Sequence, residues 1–355
     1  MRFSLFYEMQ ISNPTPETEQ QLFHDCVEQA VLADEVGFDG IWAVEHHGLY
    51  EYAHSSAPEI FLAFVAAKTK NINICHGSTL LPKNYNHPIR IAERLATLDI
   101  LSNGRVYWGA AKSGTSVEQG AFELDPAQLH DQWLEALEMI PKMWKNEAFS
   151  WKGKFYDIPP THIVPKPIKQ PPAFAACSRP ELAVAAGELG LGALNFAVYK
   201  DEQLKEKIQN YREAIGRAKP ITGVVTNHFC CNPATLILKD DKKAVQYGLR
   251  GSKFFTRSMA SYYWTDKRHV GAVKAPRDMP SDKEVEMFMK HRNAPGTQLS
   301  AIFGDPASAI KTIQRFVDVG CDELIFVIQS GTIPHELIME SIKTIGEEVI
   351  PHFKK

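Results

Sequence analysis

The chain has no pair of cysteines at metal or redox spacing: its six, Cys26, Cys75, Cys177, Cys230, Cys231 and Cys321, are scattered without a C-x-x-C. That argues against a disulfide framework and a thiolate zinc site and leaves buried free thiols. Charge of one sign is equally lacking. A net charge of -3, from 39 basic and 42 acidic residues, offers no field for nucleic acid or for an anionic membrane, so neither partner is expected. No apolar run has the length of a membrane span, and MRFSLFYEMQ is too short and too interrupted for a secretory segment. A cytoplasmic location is the expectation. Walker-type and G-x-G-x-x-G loops after a strand are also missing, which disfavours an ATPase and a Rossmann dinucleotide site.

What is present is apolar material for a large core: 44% of 355 residues are hydrophobic and 23% charged. Short β-branched or aromatic runs alternate with segments of helical period, the pattern of βα units. The strand candidates are RFSLFY (2–7), DGIWAV (39–44), INIC (72–75), RVYWGA (105–110), AFAA (173–176), GALNFAV (192–198), TGVVTNHFCC (222–231) and DELIFVI (322–328). Helices are expected from Thr15, which caps Pro16, and then near 58–69, 88–101, 126–145, 180–190, 201–217, 306–319 and 334–349. A hairpin, FSWKGKFYDI, and a proline-rich crossing at 159–172 interrupt the alternation. Eight such units in one chain argue for one domain over 1–355, a closed (β/α)8 barrel. The stretch 240–298 breaks the pattern. It reads either as a lid over the barrel mouth or as an excursion packed on the barrel side or in a subunit interface.

Chemistry in such a barrel lies at the C-terminal strand ends. Glu45-His46-His47 follows the second strand, His76-Gly77-Ser78-Thr79 the third, Lys112-Ser113-Gly114 the fourth and Cys177-Ser178-Arg179-Pro180 the fifth. A metal site would use His46, His47, His76 or Glu45, but adjacent strand residues face opposite ways and no H-x-H or H-E-x-x-H spacing occurs; no metal is expected. Lys112, Ser113 and Gly114, with Ser178 and Arg179 at the start of a helix, have the components of a phosphate cradle, although Ser178 would also make an ordinary N-cap.

The segments GFDGIWAVEHH, LLPKNYNHPIRIAERLATLDILSNGRVYWGAAKSG, AAGELGLGAL and GDPASAIKTIQRFVDVGCDELIFV together resemble the bacterial luciferase-like, flavin-dependent monooxygenases nearly end to end. The resemblance implies a (β/α)8 TIM barrel with a late insertion, and a two-component enzyme. Reduced FMN from a separate NAD(P)H:flavin reductase would react with O2 to a C4a-peroxyflavin and transfer one oxygen to a small apolar or aromatic substrate. It implies His46, with Glu45 before it, as the acid–base group at the flavin edge. Gly77-Ser78 would be a non-prolyl cis peptide beneath the flavin ring. Lys112, Ser113, His130, Cys177, Ser178 and Arg179 would hold the cofactor, and His47, Phe6 and Trp108 would meet the substrate. Trp42 and Tyr107 are further candidates for apolar walls. Ala111 stands where luciferase has a reactive cysteine, so no thiol chemistry is implied. A homodimer is implied as well. Two other readings remain: a deazaflavin-dependent reductase or dehydrogenase of the same fold, and a non-catalytic flavin-binding relative.

Overall fold

In chain order the strands are β1 (Arg2–Tyr7), β2 (Gly40–Ala43), β3 (Asn73–Leu80), β4 (Val106–Ala111), β5 (Phe149–Lys152), β6 (Asp157–Thr161), β7 (Ala173–Cys177), β8 (Gly192–Asn195), β9 (Phe229–Cys231), β10 (Ala234–Ile237), β11 (Ala301–Gly304) and β12 (Glu323–Phe326). The computed structural model describes residues 1–177, 179–195, 199–265, 269–294 and 296–354. Eight of the strands close into a parallel barrel in the order β1-β12-β9-β8-β7-β4-β3-β2, with helices outside: the (β/α)8 TIM barrel. Closure follows from strands that are apolar on both faces. On β1, Phe3, Leu5 and Tyr7 pack against the surrounding helices. Phe6 faces the interior, where it meets Trp42 of β2, Cys75 of β3, Phe174 of β7 and Ile325 of β12.

The helices begin where capping chemistry allows. Thr15 forms a capping box with Thr18 at the head of Pro16–Glu35, and Asp305 accepts from the Ser308 amide at the head of Pro306–Asp318. Pro58–Lys68, Pro88–Leu101 and Leu129–Lys145 lie where the periodicity predicts them, and β5 and β6 form the antiparallel hairpin. The helix His335–Thr344 runs on through a π-turn at Ile345–Val349 into the final short helix, Ile350–Phe353. No helix among the described residues is long and apolar enough to cross a membrane.

Four differences from the sequence reading bear on the site. First, β3 extends to Leu80, so His76, Gly77, Ser78 and Thr79 lie within the strand; the register against β4 slips between His76 and Thr79. Second, the cis peptide bond among the described residues is Val164–Pro165, so Gly77–Ser78 is trans and the expected non-prolyl cis bond is absent. Third, only Phe229–Cys231 of the 222–231 run is strand; the apolar residues before it, Val224 and Val225, are exposed. Fourth, a short helix, Ser116–Ala121, was not anticipated, because six residues are too few to show a period.

The 240–298 stretch is bracketed by the parallel pair β10–β11. Its first half is one helix of 23 residues, Asp241–Tyr263. Its second helix, Asp282–His291, begins at the Ser281 cap. Arg292 makes a two-pronged contact with Asp241, at 2.7 and 2.8 Å, which ties the two ends of the excursion together.

Candidate active site

His46 follows β2, and four groups from separate parts of the chain surround it. Its Nδ1 lies 2.8 Å from Glu118 Oε1 and its Nε2 3.1 Å from the Tyr263 hydroxyl. Glu8 Oε2, just past β1, is 3.7 Å from the same Nε2. The other oxygen of Glu8 accepts from the Tyr52 hydroxyl at 2.9 Å. Thr115 caps the helix that carries Glu118 and donates to Glu118 Oε2 at 2.8 Å, which fixes the carboxylate toward the histidine.

Charge governs this cluster. Burial opposes protonation of His46, but the Glu118 and Glu8 carboxylates outweigh it and lift the imidazole to about 9. The shift favours the imidazolium, the form in which Nδ1 donates to Glu118 and Nε2 to Tyr263. Burial pushes Glu8 up to about 6 despite the pull of His46 and Tyr52. Glu118 is lowered: burial works against it, and the His46 charge and hydrogen bond prevail. Glu8 is 2% exposed and its Oε2 has no hydrogen-bond partner.

Glu45 and His47 part from His46. Glu45 accepts from the Leu80 amide and from Asn86 Nδ2, each at 2.8 Å, so its carboxylate holds the end of β3 to the following loop. His47 stacks on Tyr85, centroids 5.6 Å apart, and lies 4.7 Å from the Phe122 ring. Metal-type clusters among the described residues are His228–Cys230–Glu323 and Asp25–Glu28–His335, and neither includes these residues.

On the cradle side, Lys112 follows β4 and Arg179 caps the helix after β7. Burial and the charge of Arg179 both lower Lys112, and Lys112 makes no ion pair with any described residue. Arg179 reaches Glu181 at 3.3 Å on the surface. Two cations close enough for one to lower the other, beside a helix start, suit an anion. Lys112 Nζ lies 5.8 Å from the Trp133 ring centre, with the His130 ring stacked on the same indole. Ser113 Oγ accepts from the Tyr85 hydroxyl at 3.1 Å. Ser78 Oγ is buried with no hydrogen-bond partner, and it borders Gly109, where a Cβ would come within 2.8 Å of it. An orphaned buried hydroxyl and an unpaired lysine are what a polar cofactor with a phosphate would satisfy. Ser178 lies outside the described residues.

Three expectations find other surroundings. Trp108 faces outward, fully buried against Trp144 at 6.0 Å. Cys177 also packs in the layer between barrel and helices, where burial pushes its thiol up to about 12. Phe6 and Trp42 do line the interior, but within the packed core. Sequence reasoning missed Glu8, Tyr52, Glu118 and Tyr263. Two had signals: Glu8 is a carboxylate just past a strand end, and Thr115-Ser116-Val117-Glu118 is a capping-box sequence.

The His46 cluster, Lys112 and Arg179 all lie just past the C-terminal ends of barrel strands, the face that carries the chemistry in enzymes of the (β/α)8 class. The family model described as luciferase-like monooxygenase matches residues 1–323, and the chain belongs to that family; it is an oxidoreductase. The oxygenase component of the flavin-dependent trigonelline monooxygenase of Acinetobacter baylyi is 25% identical over 100% of this chain and 96% of its own length. The F420-dependent hydroxymycolic acid dehydrogenase of Mycobacterium tuberculosis is 29% identical over 86% of this chain and 83% of its own. Among solved structures, a monooxygenase of Streptomyces bottropensis has the same fold, with a TM-score of 0.82 at 24% identity over 99% of this chain and 100% of that one.

Proposed function

We propose that the protein is the oxygenase of a two-component, FMN-dependent monooxygenase acting on a small organic substrate. The observation that carries this reading is the His46 side chain, held between Glu118 at 2.8 Å and Glu8 at 3.7 Å at the barrel mouth, with Lys112 unpaired among the described residues. Reduced flavin, when bound, supplies the electrons that activate O2. Lys112 and Arg179 would hold its phosphate, with His130 and Ser113 beside them, and Ser78 Oγ would serve its polar edge. His46 delivers a proton from Nε2, Glu118 keeps Nδ1 in place, and Glu8 keeps the ring charged between turnovers. Glu45 positions β3 and the loop after it.

In the same reading, the helix Asp241–Tyr263 and the segment after it form a lid that excludes water. Tyr52, Val117, Phe254, Phe255 and Val273 gather there as an apolar and aromatic cluster, which suits an apolar or aromatic substrate. Glu8, Glu45 and Glu118 all act on His46, so the end of the substrate that approaches it is neutral or cationic. The relative named as an oxygenase component supports a separate reductase. A homodimer is part of the reading: Ile60 and Phe64, 69% and 52% exposed, offer an apolar face beside Phe23, and sedimentation equilibrium tests it.

Anaerobic titration with reduced FMN and with reduced deazaflavin, followed by mixing with O2, tests the function. The expected result is tighter binding of FMN and an oxygenated reaction whose time course changes in His46→Ala. Tight deazaflavin binding without O2 uptake would establish the dehydrogenase reading that the F420-dependent relatives support. Identical traces in both proteins would overturn the role of His46, and tight FMN binding without substrate-dependent oxygen transfer would leave only a flavin binder.

A further inference from the structure

His46 depends on a residue that arrives from the far end of the chain. Tyr263 is the last residue of the long helix Asp241–Tyr263, and its hydroxyl lies 3.1 Å from His46 Nε2, the nitrogen that faces away from Glu118. The two rings meet edge to face, centroids 6.0 Å apart at 86°. Tyr52 completes a triangle of rings, 6.2 Å and 82° from Tyr263 and 5.9 Å from His46. The seat of the ring is Gly114, in the loop that carries Lys112 and Ser113. A Cβ built there would fall 2.4 Å from Tyr263 Cε1 and 3.2 Å from Cζ, so only glycine lets the ring lie this close. One side chain thus spans the acid–base histidine and the proposed phosphate loop.

We propose that Tyr263 is a positioning residue: seated on Gly114, it accepts a hydrogen bond from His46 Nε2 and holds the imidazolium aimed and protonated until the reacting group takes that proton. The inference rests on the assignment of His46 as proton donor. The groups that face His46 are Glu8 from just past β1, Glu45 and Tyr52 from the segment after β2 that carries His46 itself, Glu118 from the helix Ser116–Ala121, and Tyr263. Glu8, Glu45 and Glu118 are carboxylates whose charge raises the imidazole. The Tyr263 hydroxyl can bond Nε2 in either state of the ring, as acceptor from the imidazolium or as donor to the neutral imidazole; the bond to the charged ring is the stronger, so its removal lowers the proton affinity of His46 while the carboxylates stay.

The experiment is an NMR titration of the His46 ring in the cofactor-free protein, its resonance assigned from the spectrum of His46→Gln. Tyr263→Phe is expected to lower the His46 midpoint by about one pH unit, tenfold in proton affinity. Gly114→Ala, which keeps the hydroxyl but displaces the ring, is expected to lower it in the same direction. Tyr262→Phe is the control: its hydroxyl faces the Gly271 carbonyl at 3.5 Å, and its midpoint is expected to match the wild type. A wild-type midpoint in Tyr263→Phe, or an equal shift in Tyr262→Phe, overturns the proposal. The titration involves neither flavin nor O2. A lowered midpoint in a protein that takes up no O2 would keep Tyr263 in its role and sink the monooxygenase reading instead, while an unchanged midpoint in an active oxygenase would do the reverse.

Discussion

The barrel holds a buried carboxylate at each end of its interior, and the two are treated in opposite ways. At the floor, Glu323 is fully buried and surrounded by donors. Ser4 Oγ and Trp42 Nε1 reach its Oε1 at 2.6 and 2.9 Å, His228 Nε2 reaches Oε2 at 2.8 Å, and Arg2 stands 3.8 Å off. Burial alone would raise this carboxyl; His228 and Arg2 overcome it and bring it down to about 2. At the mouth, Glu8 is just as enclosed but keeps one oxygen without a hydrogen bond and sits at about 6. The floor is a finished polar network, and the metal-type trio His228–Cys230–Glu323 found there is already occupied by protein donors. The mouth is unfinished, with Glu8 Oε2, Ser78 Oγ and Lys112 each short of a partner. Unmet polar groups mark the end at which a ligand completes the structure.

Substitutions at the two ends should separate stability from activity. Glu323→Ala leaves Arg2, His228 and Trp42 facing an empty site, and it is expected to cost about 3–5 kcal/mol in urea unfolding. A loss under about 1 kcal/mol would show that the floor network is dispensable. His46→Ala at the mouth is expected to lower turnover about 10²–10⁴-fold while folded protein is still recovered. If His46→Ala proved as destabilising as Glu323→Ala, the comparison would fail.

The pH dependence of stability has opposite signs at the two ends. His46 is raised from its ordinary 6.5 to about 9, so the stability it contributes is fully present below 6.5 and is lost as pH rises through 9. Glu323 is lowered from 4.5 to about 2, so its contribution is present above 4.5 and is lost as pH falls through 2. Unfolding curves across both windows should lose the alkaline decline in His46→Ala and the acid decline in Glu323→Gln. A smaller effect belongs to the cradle: Lys112→Ala is expected to weaken FMN about tenfold and riboflavin hardly at all. Equal weakening of both ligands would remove Lys112 from the phosphate.

The barrel itself was legible because its signals are local. Gly37 and the DGIWAV run, the Pro88–Leu101 helix and the Asp305 cap each follow from a few neighbouring residues, and their order implies the closed sheet. Alternation even separates Phe6 from Tyr7. It could not say that Trp108, next to Tyr107 on the interior cluster, would point outward against Trp144, since an apolar strand hides its phase when both faces are buried.

The site was legible only in part. That Glu45-His46-His47 follows a strand end and that Lys112 and Arg179 fall after strand ends could be inferred from position; singling out His46 took the family resemblance. What charges the histidine could not. Glu118 lies 72 residues away in sequence and Tyr263 lies 217 away, and nothing local links either to a histidine. The sequence by itself determined which residues end the strands and which could bear a proton or meet an anion, because capping, periodicity and residue chemistry act over a turn or two of chain. Only the tertiary structure decided that Glu8, Glu118 and Tyr263 converge on His46 and that the two carboxylates favour its charged form, because desolvation and charge act through space, where chain distance has no bearing.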